Sequence, residues 1–138
     1  MYKKFELKVA KWEESNLNGF NKETPITRVS TCFETPEDTD GKFTVEYIMV
    51  STEYDISDKH NSKTDYLGFM EFCGTLDGKK GTFVIEDHGV YENSVPKSDF
   101  KIKEHTGTGE LKGITGTGKY YADNETFIME LEYFIKTV

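Results

Sequence analysis

The chain is poor in the residues that build metal and redox sites. Its only cysteines, Cys32 and Cys73, stand far apart in the 138 residues and have neither metal-clip nor redox-motif spacing. Both are therefore expected to be reduced thiols in strands. The three histidines offer no pair with ligand spacing on one face, and no phosphate-binding loop or dinucleotide fingerprint occurs. We expect neither a metal nor a cofactor.

The chain also lacks an apolar run long enough to span a bilayer, and its amino terminus lacks the apolar core of a signal peptide. Basic residues are outnumbered, because 17 Lys and Arg against 25 Asp and Glu give a net charge of -8. Such a charge repels phosphate backbones and anionic lipid surfaces. The sequence therefore predicts a cytoplasmic protein whose partners include neither nucleic acid nor a membrane.

Helical periodicity is absent, and alternation with a period of two residues takes its place. In the last segment, the side chains of one face are Phe127, Met129, Leu131, Tyr133 and Ile135. The first segment repeats this design around Phe5, Leu7 and Val9. Between them we predict strands at 26–34, 43–54, 65–76, 81–88, 98–105 and 116–122.

Turn residues separate these strands, as at DTDG (38–41), Asp77–Gly78 and Asp123–Asn124. Neighbouring strands are therefore expected to be sequential and antiparallel. About eight strands would leave vulnerable edges in an open sheet, and closing the sheet removes those edges. We predict one all-β domain over residues 1–138, a closed antiparallel eight-stranded barrel with little or no helix. A two-sheet sandwich is the alternative.

Glycine is concentrated at 107–118, where GTGELKGITGTG holds five glycines in twelve residues. Together with GTFVIEDHG at 81–89, the part of this segment at 107–116, GTGELKGITG, resembles domain-of-unknown-function family 3224, a group of bacterial proteins. The resemblance extends upstream to EYIMV at 46–50 and GFMEFCGTLDGKKG at 68–81, and it begins near Trp12. One departure is EHT at 104–106, where family members tend to have Pro-Gly-Ser.

That family is distantly similar to the allene oxide cyclase and dirigent barrels. The similarity implies a calycin-like, eight-stranded antiparallel barrel with a lumen. Allene oxide cyclases isomerise a reactive lipid epoxide and dirigent proteins steer phenolic radical coupling, but shared architecture transfers neither activity. The resemblance therefore implies a fold and a cavity, not a reaction.

Two carboxylates lie within otherwise apolar strands: Glu46 in FTVEYIMV and Glu71 in LGFMEFCG. Inside a lumen each would have a raised pKa suited to acid–base work, whereas the plain alternative is that both face solvent. Glu46 shares its face with Ile48, and Glu71 shares its face with Phe69. We interpret these faces as lumen lining. The reversed assignment leaves a plainly hydrophobic lumen, as in a carrier of greasy ligands.

His88 ends a strand beside a glycine, where an imidazole at the barrel rim could meet a ligand. It is the third catalytic candidate, and the alternative is a histidine hydrogen-bonded to a neighbouring loop. Aromatic residues make up 14% of the chain. The residues that we expect to bind a ligand are Trp12, Tyr47, Tyr54 and Phe69, and the alternative for each is an ordinary core position.

Three functions follow from these features. The first is a barrel that binds a small apolar or aromatic molecule in its lumen. The second is a cofactor-free isomerase or cyclase that uses a lumen carboxylate, and the third is a structural or interaction module whose barrel is filled by its own side chains. Whether the protein is an enzyme stays open. Either assignment of faces leaves apolar surface, so we expect a homo-oligomer, a dimer or a trimer.

Overall fold

Eight antiparallel strands close into one barrel in this computed structural model, which describes residues 1–19, 24–35, 41–53, 63–92, 95–123 and 126–136. The strands are β1 (Tyr2–Asn16), β2 (Ile26–Glu34), β3 (Gly41–Glu53), β4 (Lys63–Leu76), β5 (Lys79–Glu92), β6 (Val95–Ile102), β7 (Ile114–Asp123) and β8 (Thr126–Ile135). Each pairs with its neighbours in sequence, and β1 closes the ring against β8. The predicted barrel is confirmed, and the sandwich alternative is wrong.

The predicted strand ranges agree with the structure to within two residues, except that β5 continues to Glu92 and that the strand before the glycine-rich segment is displaced. Strand β6 covers Val95–Ile102 instead of 98–105, because the chain turns at His105, whose φ of 68° is left-handed. A short 3-10 helix, Gly109–Leu111, follows it. Leu111 is fully buried and closes one end of the barrel.

That end also holds the turn between β4 and β5, and we call it the hairpin end. Asp77 and Gly78 both have positive φ, 49° and 82°, as the type I′ hairpin turn requires. The Asp77 carboxylate accepts hydrogen bonds from Tyr133 Oη and from Lys3 Nζ. The turn is thereby tied to β8 and β1.

Aromatic side chains fill the half of the lumen next to the hairpin end. The ring centroid of Phe72 lies 5.2 Å from that of Phe43 and 5.0 Å from that of Phe83. Phe5 approaches Phe43 to 6.1 Å from another strand. These residues are almost completely buried, so this half of the barrel is a packed core.

Large rings fit inside so narrow a barrel because several lie over glycines of a neighbouring strand. Tyr47 on β3 pairs with Gly68 on β4, and a Cβ added at Gly68 would lie 2.7 Å from Tyr47 Cδ1 and would collide with the Glu46 carbonyl oxygen. Phe100 on β6 likewise covers Gly118 on β7. The missing side chain is what admits each ring.

Replacing Gly68 with alanine should therefore be strongly destabilising. We expect Gly68→Ala to lower the free energy of unfolding by about 3 kcal/mol, because both the ring and the backbone must move. Gly78→Ala is the control, since nothing lies within 4 Å of an added Cβ there and only its positive φ costs about 1 kcal/mol. Urea unfolding measures both. Equal losses would contradict the packing of Tyr47 over Gly68.

Candidate functional site

The structure places all three catalytic candidates on the outer surface, so the interpretation of the faces of Glu46 and Glu71 as lumen lining is wrong. On β3 the inward side chains are Phe43, Val45 and Tyr47, and Glu46 points outward. Arg28 Nε lies 3.0 Å from Glu46 Oε2 and, with a hydrogen bond from Ser30, lowers the pKa of this carboxyl. Solvent and a cation favour the ionised form, which an apolar lumen would not.

Glu71 and His88 are exposed in the same way. The inward face of β4 carries Tyr66, Met70 and Phe72, so Phe69 and Glu71 are outside. Side chains alternate between the two faces of a strand, so one face must point into the lumen and the other to solvent. A shift of one residue would move every side chain to the opposite face. The reversed assignment is therefore the one that the structure supports, with an apolar lumen.

The residues predicted to bind a ligand lie in different places, some at a cavity inside the barrel and one on its outer face. Tyr47 and Trp12 line a cavity inside the barrel, but Phe69 is 50% exposed on the outer face and does not line it. Tyr54 lies outside the described residues. Two of the four expected residues thus lie together.

The cavity occupies the barrel end opposite the hairpin end, and we call its opening the mouth. Its volume is about 320 Å³. The lining consists of Val9, Trp12, Phe33, Tyr47, Met49, Tyr66, Tyr91, Pro96, Tyr120 and Phe127. Seven of these ten side chains are aromatic and none carries a formal charge. Trp12, the only tryptophan of the chain, is 44% exposed.

A buried carboxylate, Asp87, lies behind this lining and is only 1% exposed. Tyr47, Gly68 and Asp87 stand in one row across β3, β4 and β5. With Gly68 offering no side chain, Tyr47 reaches over β4, and its hydroxyl donates to Asp87 Oδ2 at 2.5 Å. Asp87 Oδ1 makes no hydrogen bond of normal geometry among the described residues, although the Ser98 hydroxyl and the His88 backbone N–H lie near the carboxylate.

The adjacent row repeats this arrangement one strand further along. Tyr66 on β4 faces Gly89 on β5, which faces Ser98 on β6. The Tyr66 hydroxyl lies 2.8 Å from where a Cβ of Gly89 would stand. Tyr66 Oη and Ser98 Oγ are buried and, within the described part of the chain, make no hydrogen bond of normal geometry. Three buried polar atoms without a hydrogen bond of normal geometry therefore lie close together on β4, β5 and β6: Tyr66 Oη, Asp87 Oδ1 and Ser98 Oγ.

Burial decides the protonation of this cluster. It is the main reason why the pKa of Tyr47, Tyr66 and Tyr120 is raised, and the negative charge of Asp87 adds to the rise in each phenol. Burial also raises the pKa of Asp87, while the hydrogen bond from Tyr47 opposes that rise. The phenols stay protonated at neutral pH and can donate hydrogen bonds.

Sequence reasoning missed Asp87 although the signal was present. In GTFVIEDHG, Asp87 has the same parity as Phe83 and Ile85, the buried face of β5. His88, its exposed neighbour, was chosen instead. Tyr120 and Ser98 could not be selected, because nothing local indicates that they approach Asp87 from other strands.

The cysteines and the metal-ligating residue types are the other chemistry-bearing groups of the described residues. Cys32 and Cys73 are free thiols, as predicted. Within the described ranges, no group of three or more His, Cys, Asp or Glu side chains could hold a metal ion. Over the same residues, no helix combines the length and apolarity that crossing a membrane would take.

The charge of Asp87 should reduce the stability of the fold at neutral pH. Its folded-state pKa is raised, so its stabilising contribution is present below the unfolded-state pKa and is lost as pH rises through the folded-state value. Asp87→Asn removes the charge and keeps an acceptor for Tyr47. We expect this variant to melt higher than the wild type at pH 7, by on the order of a few degrees, with a smaller difference near pH 4.

Thermal unfolding followed by circular dichroism measures this difference. Asp99→Asn, at an exposed carboxylate on β6, is the control and should change the melting temperature little at either pH. The prediction is contradicted if Asp87→Asn melts lower than the wild type at pH 7 and the difference is the same near pH 4. That result would show that the charge of Asp87 does not destabilise the fold.

Comparison with known proteins agrees with the fold and names a family. A solved structure from Shewanella oneidensis MR-1, a protein with unknown function from the DUF3224 family, matches with a TM-score of 0.80 and 17% identity. The match covers 100% of this chain and 98% of that chain and, at this identity, shows the fold alone. No curated protein matches the chain. The model of the family described as protein of unknown function (DUF3224) matches residues 4–133. The resemblance inferred from the glycine motifs is thus confirmed, and the chain belongs to this family.

Proposed function

We propose that the protein binds a small, largely aromatic molecule in the cavity at the mouth of its barrel. The observation that carries this proposal is the wall of seven aromatic side chains around about 320 Å³ of space. Binding sites for small molecules are concave, mostly apolar and commonly 300–1,000 Å³. A cavity at the lower end of that range suits a molecule of one to three rings.

The packing of the barrel supports a ligand site rather than a chance void. The half at the hairpin end is filled by Phe43, Phe72 and Phe83, whereas the same lumen stays open beyond Tyr47 and Tyr66. Interiors are normally packed without voids larger than a water molecule. The filled-barrel module is therefore the weakest of the three functions predicted from the sequence.

A cofactor-free isomerase or cyclase is the second candidate, and Asp87 is the observation that favours it. Glu46 and Glu71 cannot serve as lumen carboxylates because they lie outside, but Asp87 is a buried carboxylate with a raised pKa beside protonated phenols. Such a pair can exchange a proton with a bound molecule. Binding remains the first proposal, because every catalytic step would require it.

A neutral fluorescent probe tests binding directly. We expect N-phenyl-1-naphthylamine to bind with a Kd on the order of 10 µM, from its size and apolar character. Its emission should rise in the dry cavity, and the fluorescence of Trp12 should be quenched by energy transfer at the mouth. Val9→Trp should weaken binding at least tenfold, because the indole fills space that the probe needs.

Phe69→Ala is the matched control, since it removes an apolar ring from the outer face and leaves the cavity intact. We expect it to bind the probe like the wild type. Loss of binding in Phe69→Ala together with full binding in Val9→Trp would place the probe on the outer surface and refute the cavity proposal. Circular dichroism of both variants verifies that they are folded.

A further inference from the structure

Asp87 is a buried negative charge without a cation. None of the ion pairs among the described residues includes it, and all of those pairs lie on partly or largely exposed side chains. Tyr47 supplies one hydrogen bond to Oδ2, and Oδ1 makes no hydrogen bond of normal geometry in the described part of the chain, although the Ser98 hydroxyl and the His88 backbone N–H lie near the carboxylate. His88, whose side chain is exposed, is the basic residue that interacts electrostatically with it. Buried charges in proteins are normally paired or coordinated. Asp87 therefore lacks a positive partner that a ligand could supply.

The cavity wall in front of Asp87 is suited to a cation. The rings of Tyr47 and Tyr66 lie 4.9 Å apart at an angle of 60°, and both line the cavity. Tyr120 lines the same wall and interacts electrostatically with Asp87. Aromatic faces attract ammonium groups, most strongly where water is excluded. The net charge of -8 also draws cations rather than anions towards the protein.

We propose that the wall formed by Tyr47, Tyr66 and Tyr120 binds the ammonium group of an arylalkyl amine, with Asp87 as its counter-charge. This inference rests on the proposed function, because the aromatic part of the amine occupies the cavity. A neutral hydroxyl would match the hydrogen-bonding groups but leave the charge of Asp87 unbalanced. A carboxylate would add a second negative charge and is disfavoured.

Three ligands that share one ring system separate these cases: 1-naphthylmethylamine, 1-naphthalenemethanol and 1-naphthoate. We expect the amine to bind at least tenfold more tightly than the alcohol at pH 7, and the acid to bind more weakly than either. Isothermal titration calorimetry measures all three. In Asp87→Asn the amine should lose its advantage while the affinity for the alcohol stays within about twofold.

Each outcome decides a separate point. Preference for the alcohol, or an amine preference that survives Asp87→Asn, overturns the ammonium site. Weak binding of all three ligands alongside normal binding of N-phenyl-1-naphthylamine also overturns it but leaves the proposed function in place. Failure of that probe as well refutes both. Asp99→Asn, which removes an exposed carboxylate on β6, should retain the amine preference and controls for a general effect of lost negative charge.

Discussion

The structure depends on the placement of large rings over glycines inside a narrow closed barrel. Tyr47 over Gly68 and Phe100 over Gly118 gain space that a Cβ would otherwise occupy. Closure of eight strands leaves an interior just wide enough for side chains to fill. Glycine at the facing position therefore determines how far across the lumen these rings reach.

The same constraint builds the site. Because Gly68 has no side chain, the Tyr47 ring extends across β4, and its hydroxyl donates a hydrogen bond to Asp87 on β5. Tyr66 takes the corresponding course over Gly89 towards Ser98. The two rings separate the packed half of the barrel from the open half and screen a carboxylate from water. Unmet polar groups and an unpaired charge are costly in a dry interior, and their clustering at one cavity wall is what connects the fold to ligand binding.

The sequence predicted the architecture well because alternation, turn residues and edge closure are local or topological signals. Asp77 with Gly78 predicted the β4–β5 turn, and the motifs at 81–89 and 107–116 predicted the family. The site was harder, because both faces of β3 and β4 contain apolar residues. The apolar side chains of Ile48 and Phe69 led us to predict that the outward face was buried. The burial of Tyr47 and its packing over Gly68 show that the other face points inward.

The account therefore depends most on an open, aromatic cavity beyond Tyr47 and Tyr66. Diffraction from crystals pressurised with xenon tests it directly, because xenon enters apolar cavities and is located by its own scattering. We expect a xenon peak among Phe33, Tyr66 and Phe127. Absence of that peak, with the Trp12 and Met49 side chains folded inward to fill the space, would contradict the central claim that this half of the barrel is built to hold a ligand.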